Sequence, residues 1–291
     1  MISVHSSPVG RLGTQDTGGM SVYIRELSRQ LGLRGHCVDI YTRAGGGHAS
    51  GGVLRISENV RLIPLELGPG AEAPKTALHL HLARFFEAME RFRRLDGRRY
   101  DVIHSHYWLS GRVGQWARRA WGSPHLTTFH TLAAMKDRVC GPGSEPEIRS
   151  AAERELAAAC DRILVTSGRE RDNLIRHYGA EADRIAVVPC GVDLDRFRPV
   201  DRTVARRQIG VDAEKPLVLY VGRLAPEKGL ERLIQAVARL DHVSGLQLIV
   251  AGGDGERDAA RRRMAEWCRS CGIAGRVTFK GRVEQCELPL F

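Results

Sequence analysis

The stretch LVLYVGRLAPEKGLERLIQAV, residues 217–237, decides how the chain is read. An apolar run ends at Gly222, and Leu230, Leu233, Ile234 and Val237 then recur at helical spacing. Strand, turn and amphipathic helix in that order form the repeating unit of a parallel sheet covered by helices. Pro226 suits a first helical turn and Glu227 complements the dipole there, so the helix is expected to start at Pro226. Arg223 and Lys228 then stand at the top of the sheet, beside a helix N-terminus. Two cations and free N–H groups around one point suit an anion such as a diphosphate. The alternative is two solvated surface charges.

The same alternation extends through the chain. CVDIYT (37–42), VRLIPL (60–65), YDVIHSH (100–106), PHLTTFH (124–130), DRILVTS (161–167) and RIAVVP (184–189) read as buried strands, with MISVHS as the first. Helical patterns lie at 19–34, 75–95, 108–121, 146–160 and 168–178. PCGVDLDRFRPVDR (189–202), with its prolines, glycine and charges, reads as an interdomain linker. The alternation restarts with PLVLYVG, a helix over 226–240, LQLIVAG, a helix from Glu256 to about Cys271, and RVTFKG. VEQCELPLF looks like the start of another helix. The expected architecture is α/β with two doubly wound domains: residues 1–198, a linker at 199–214, and a second, incomplete domain at 215–291.

Composition narrows the function classes. The chain has 291 residues, 43% hydrophobic, and a formal net charge of +10. The arginines are spread through every segment, with no basic run interleaved with aromatics, so nucleic acid is not an expected partner. No apolar stretch approaches the roughly 20 residues of a membrane span, and no signal peptide is evident, so a cytoplasmic protein is expected. Seven cysteines at irregular spacing do not form a disulfide framework. Cys268 and Cys271 form one CxxC, but Cys286 stands alone and no second pair completes a zinc site.

Three more clusters sit where a strand gives way to a helix, the edge at which open α/β sheets bind ligands. In GTQDTGGMSVYIREL (13–27), Gly18 and Gly19 precede a helix and let a ligand approach its N-terminus; a flexible turn is the alternative. In HSHYWLSG (104–111), His104 and His106 point to the same face of a strand tip. Such a pair suits zinc, but YWLSG supplies no further Asp or His, and polar residues lining a cleft account for it as well. In TTFHTLAAMK (127–136), His130 follows a buried strand and is either structural or a ligand contact. GVDLDRF (191–197) carries Asp193 and Asp195 in a DxD spacing, but in the linker, where they read as turn and capping residues. GGDGE (252–256) lacks the GxGxxG spacing of a dinucleotide site.

Taken together, HSSPVGRLGTQDTGGMSVYIREL, HSHYWLSG, TFHTLAAMK, VVPCGVDLDRFRP, VGRLAPEKGLERLI and VAGGDGE resemble the family 4, GT-B-fold retaining glycosyltransferases. The likeness covers nearly the whole chain in order. It is closest to the subgroup holding the mycothiol-pathway inositol-phosphate glycosyltransferase and sucrose-phosphate synthase. The resemblance implies a nucleotide-diphospho-sugar donor, a UDP-sugar by preference, and no cofactor or metal. It implies that Arg223 and Lys228 hold the diphosphate, with Gly18, Gly19 and Gly253 in the donor region, and that His130 contacts the transferred sugar. The turn Gly281–Arg282–Val283 would receive the base through Gly281 and Val283. The acceptor side would use Lys75, Tyr107, Thr131 and Arg149 for a phosphate, with Ser21 in place of the subgroup's asparagine. A small phosphorylated polyol or sugar is the implied acceptor.

In this family a segment of the type EPFGLVALEA supplies two donor-binding glutamates, and it does not occur here. The chain is therefore expected to be a C-terminally truncated, inactive fragment that binds donor poorly. Two alternatives stand beside the transferase: a non-catalytic nucleotide- or phosphosugar-binding module, and a membrane-peripheral transferase acting on a lipid-linked acceptor. Oligomeric state is not legible in the sequence.

Overall fold

The computed structural model describes residues 1–9, 18–45, 52–67, 77–253 and 258–291. Among these, one compact unit ends at Cys190 and a second runs from Gly191 to Phe291.

In the first unit, β1 (Ile2–Ser3), β2 (Val38–Arg43), β3 (Leu54–Ser57), β4 (Val60–Leu65), β5 (Ile103–His106), β6 (His125–Thr128), β7 (Arg162–Val165) and β8 (Ile185–Val187) form an eight-stranded sheet. The order is β3-β4-β2-β1-β5-β6-β7-β8, parallel throughout except for the edge pair β3–β4. The chain winds outward from β1 through β2 and β4, then returns to its other side at β5. That reversal makes the carboxyl ends of β1 and β5 the switch point where α/β sheets bind ligands.

The helices are α1 (Gly19–Leu33), α2 (Leu82–Leu95), α3 (Tyr107–Trp121), α4 (Ala133–Cys140), α5 (Glu147–Ala159) and α6 (Gly168–Tyr178). Neighbouring strand residues feed different cores. Ile40 and Leu62 pack with Ile24 of α1, whereas Tyr41 and Ile63 join the larger core with Phe85, Leu109 and Leu156. Alternating side chains point to opposite faces, so this sheet is buried on both sides, which is why its strands read as continuous apolar runs. Helix α3 lies close against its neighbours because it carries glycines there. A Cβ on Gly114 would fall 2.2 Å from His125 Nε2, and one on Gly111 2.4 Å from Leu156.

The second unit contains α7 (Arg202–Gln208), β9 (Leu217–Val221), α8 (Leu230–Ala238), β10 (Gln247–Ala251), α9 (Ala259–Ser270) and β11 (Val277–Gly281). Its three parallel strands lie in the order β11-β10-β9, so the expectation of two parallel α/β domains stands, with a small second sheet. Leu230, Ile234 and Val237 are buried beneath α8, each contributing about 1.5–3 kcal/mol.

Some elements differ from the sequence reading. The expected linker at 199–214 contains α7, whose C-cap Ile209 O accepts from Lys280 Nζ at 2.6 Å. Residues 191–198 fall in the second unit, not the first. The helix expected from Pro226 is broken: Pro226–Lys228 form a 3-10 turn, Gly229 takes a left-handed conformation (φ 73), and α8 starts at Leu230. The end of VEQCELPLF closes as a 3-10 turn, Leu288–Leu290.

Candidate functional site

Two residues other than glycine have left-handed backbones among the described residues: Tyr107 (φ 75) and His130 (φ 60). They stand at the carboxyl tips of β5 and β6, which are paired through His106 and Thr128. A bulky side chain at positive φ is costly and persists only where its surroundings enforce it.

The enforcement is visible at Arg149, on α5, a fully buried side chain. Its Nη2 donates to Thr131 O (2.7 Å) and Thr131 Oγ1 (3.1 Å), the residue after His130. Its Nε donates to Glu153 Oε1 at 2.7 Å, and its guanidinium lies 4.8 Å from the centre of the Tyr107 ring. Glu153 is also fully buried, and its Oε2 accepts from Ala133 N (2.9 Å) and Tyr178 OH (2.6 Å). Tyr178 OH in turn accepts from Ala134 N at 3.0 Å. One charge pair thus clamps the loop between β6 and α4 on both sides of Leu132. Burial raises the Tyr107 phenol to about 12, so it stays a neutral hydroxyl.

The histidines form a second cluster. His104 and His106 share a face, with ring centres 4.1 Å apart. His104 Nε2 pairs with Thr128 Oγ1 at 3.0 Å, and His106 Nδ1 pairs with His130 Nε2 at 3.0 Å, one ring donating to the other. His106 Nε2 is buried without a hydrogen-bond partner among the described residues. Tyr23 of α1 sets its ring edge-on to His130 at 5.2 Å. Burial lowers His104 to about 3 and His130 to about 4, and holds His106 well below its ordinary value, so all are neutral near pH 7. A neutral imidazole offers a hydrogen bond, not a charge.

Closer to the switch point, Ser21 is buried and its Oγ lies 2.6 Å from Ser6 Oγ, in the segment after β1. Gly18 caps α1, and a Cβ on Gly18 or Gly19 would meet nothing within 4 Å among the described residues. Lys75 lies outside the described residues.

The second unit presents a different edge. Gly222, Gly252 and Gly281 follow or end the three strands, and Gly222 N donates to Ala251 O (3.0 Å) while Gly252 N donates to Gly281 O (2.7 Å). A Cβ on Gly252 would fall 1.8 Å from Gly222 O. Gly253 has φ 85 and Gly281 φ 71, and Val283 lies just beyond. Arg223 is exposed, with Nη2 3.3 Å from Glu227 Oε1. Lys228 is exposed on the 3-10 turn and makes no ion pair or hydrogen bond through its side chain among the described residues. Arg223, Gly253 and Gly281 therefore share the carboxyl edge of one sheet, as the strand order requires.

The features set aside in the sequence have ordinary roles. Asp193 Oδ1 accepts from Asp195 N and Arg196 N, both at 3.2 Å, as a turn residue does. Cys268 is buried in the second core and Cys271 caps α9. Glu153, Tyr178 and Ser6 were not singled out from the sequence. For Glu153 a signal existed, since it lies four residues after Arg149 on the same helix face.

The model of Glycosyltransferase Family 4 matches residues 17–196, and that of Glycosyl transferases group 1 matches residues 201–291. A D-inositol 3-phosphate glycosyltransferase of Xylanimonas cellulosilytica is 38% identical over 298 residues, covering 99% of this chain and 70% of that protein. One from Rhodococcus opacus is 40% identical over 286 residues, covering 96% of this chain and 64% of that protein. The chain thus spans about two thirds of these relatives' length. Among solved structures, sucrose-phosphate synthase from Thermosynechococcus elongatus aligns with TM-score 0.88 at 33% identity, covering 99% of this chain and 71% of that one. With the strand order and these matches in agreement, the chain belongs to glycosyltransferase family 4.

Proposed function

We propose that the protein moves a sugar from a nucleotide-diphospho-sugar, a UDP-sugar first among those to test, to a small phosphorylated polyol or sugar, with retention of anomeric configuration. The observation that carries this reading is the pair of left-handed tips, Tyr107 and His130, stapled by Arg149 beside the switch point. Two enforced residues at adjacent strand ends mark a place where geometry was favoured over backbone ease.

The barrier to transfer is charge growing on the departing diphosphate as the sugar becomes cationic. Arg223 and Lys228, exposed beside glycine-lined strand ends, are the groups that would hold that charge. His130, kept neutral by burial, would hydrogen-bond the transferred sugar. Its Nε2 is engaged by His106, so Nδ1 is the nitrogen left for a ligand hydroxyl. Proton transfer from the acceptor to the leaving phosphate oxygen on the same face of the sugar would need no pair of protein carboxylates of the kind glycosidases use. The names of the inositol-phosphate and sucrose-phosphate relatives favour a phosphorylated acceptor or product.

The test incubates the full-length protein with UDP-sugars and inositol phosphate, fructose 6-phosphate or their unphosphorylated forms. Mass spectrometry would detect the product, and NMR would assign its anomeric configuration. Transfer to unphosphorylated acceptors alone, or an inverted product, would defeat the reading.

A further inference from the structure

The remaining edge of Arg149 carries information that the clamp does not explain. Nε and Nη2 are spent on Glu153 and Thr131, which leaves Nη1 as the one nitrogen available to anything else. Nη1 is buried and makes no in-line hydrogen bond, yet Glu145 Oε2 sits 2.8 Å from it. The other oxygen of the same carboxylate, Oε1, accepts from Lys136 Nζ at 2.8 Å. Glu145 lies in the turn joining α4 to α5, and Asp137 Oδ1 holds that turn through Glu145 N (3.1 Å) and Ser144 Oγ (2.8 Å).

A single carboxylate therefore bridges two cations from separate helices, and it does so next to Tyr107 and Thr131. The charge count is decisive. Lys136 and Arg149 supply two positive charges, Glu145 and Glu153 cancel both, and Asp137 beneath the turn adds a further negative charge. With Glu145 in place the cluster offers an anionic ligand no net attraction. With Glu145 withdrawn, it exposes Lys136 and Arg149 Nη1, the two donors that an incoming anion would meet. Glu153 cannot be withdrawn in the same way, because it also holds Ala133 N and Tyr178 OH.

We propose that Glu145 is an internal stand-in for the acceptor's anionic group: its carboxylate occupies Lys136 and Arg149 until a phosphate displaces it, and so sets how strongly the site discriminates acceptor charge. The inference rests on the acceptor reading above. It predicts a gain in phosphate affinity on removing a carboxylate, with none for the uncharged ligand.

Calorimetric titration of the protein with inositol phosphate and with free inositol tests it, in the wild type, Glu145→Gln and Glu145→Ala. Both variants are expected to bind inositol phosphate about tenfold more tightly, the equivalent of one charge-assisted contact no longer in competition. Free inositol should bind as before. Lys136→Gln should weaken the phosphorylated ligand selectively. Unchanged or weaker phosphate binding in both Glu145 variants overturns the stand-in role while leaving the acceptor site intact. Equal tightening for both ligands points to a loosened turn and overturns it too. If inositol phosphate and inositol bind alike, or neither binds, in every variant, the acceptor reading itself fails and takes the inference with it.

Discussion

At the carboxyl edge of the first sheet, the groups able to meet a ligand are side chains already held by one another: His106 with His130, Arg149 with Thr131 and Glu153, Ser21 with Ser6. At the same edge of the second sheet, backbone does that work. Glycines bring strand ends within van der Waals contact, and the cations Arg223 and Lys228 stand in solvent. The first edge is organised before any ligand arrives, and its order is part of the folding free energy. The second edge waits for an anion, so loss of its exposed cations costs binding and leaves the fold alone.

The largest expected break in that contrast is Glu153→Ala. It strands a buried guanidinium and should destabilise the first unit by about 3–5 kcal/mol, read by chemical denaturation. The double change Arg149→Met with Glu153→Leu should recover much of that loss; no recovery would mean the pair is not the source. In the second unit the equivalent weak point is backbone. Gly252→Ala puts a Cβ against Gly222 O and should cost about 3 kcal/mol, visible as faster hydrogen exchange confined to residues 215–281.

Arg223→Ala and Lys228→Ala should each lower transfer by the full-length protein about 10²-fold, roughly 3 kcal/mol of lost charge stabilisation. The melting temperature should not move, because both side chains are exposed. Full activity in the double variant would remove the diphosphate assignment.

Acid should separate the units. Burial lowers His104 to about 3 and His125 and His130 to about 4, against an ordinary 6.5. The unfolded chain then binds more protons than the folded one, so the first unit loses stability as pH falls from about 6.5 toward 4. The second unit has one histidine, His242, and it is exposed, so its hydrogen-exchange protection should hold over the upper part of that window. Equal loss in both units would contradict the contrast. The smallest effect belongs to Asp193→Ala. It removes turn hydrogen bonds at an exposed site, should cost about 0.5–1 kcal/mol, and should leave transfer unchanged with or without EDTA. A strict metal requirement in the wild type, with activity lost in this variant, would restore the DxD as a ligand pair.

Strand positions were legible because both faces of the first sheet are buried, which writes runs such as VRLIPL and DRILVTS into the sequence. β3 escaped notice because LRIS is a short, half-exposed edge strand with no apolar run to announce it. Helix α4, AAMKDRVC, buries one residue, Ala133, so it has no periodic apolar face, and α7 sits within a stretch whose prolines and charges read as linker. Among candidate site residues, His130 was picked out by its position at a strand tip, and Tyr107 by the family resemblance. Their left-handed backbones were not: tyrosine does not signal positive φ, and histidine, though enriched there, signals it too weakly to mark one position. Glu145, four residues before Arg149, carried the same local signal as Glu153, whereas Lys136 and Tyr178 join the cluster only through tertiary packing, which no local pattern records.

The place of β1 has a kinetic consequence. It is the central strand of its sheet, and Ile2 pairs with Ser105 on one side and with Tyr41 on the other. During synthesis at roughly 5–20 residues per second, Ile2 must wait about 5–20 s before Ser105 has even been made. The β2–β4 side of the sheet is synthesised before β5 exists, so until then the far edge of β1 has no partner strand. The switch point is thus the last seam of the sheet's centre to close.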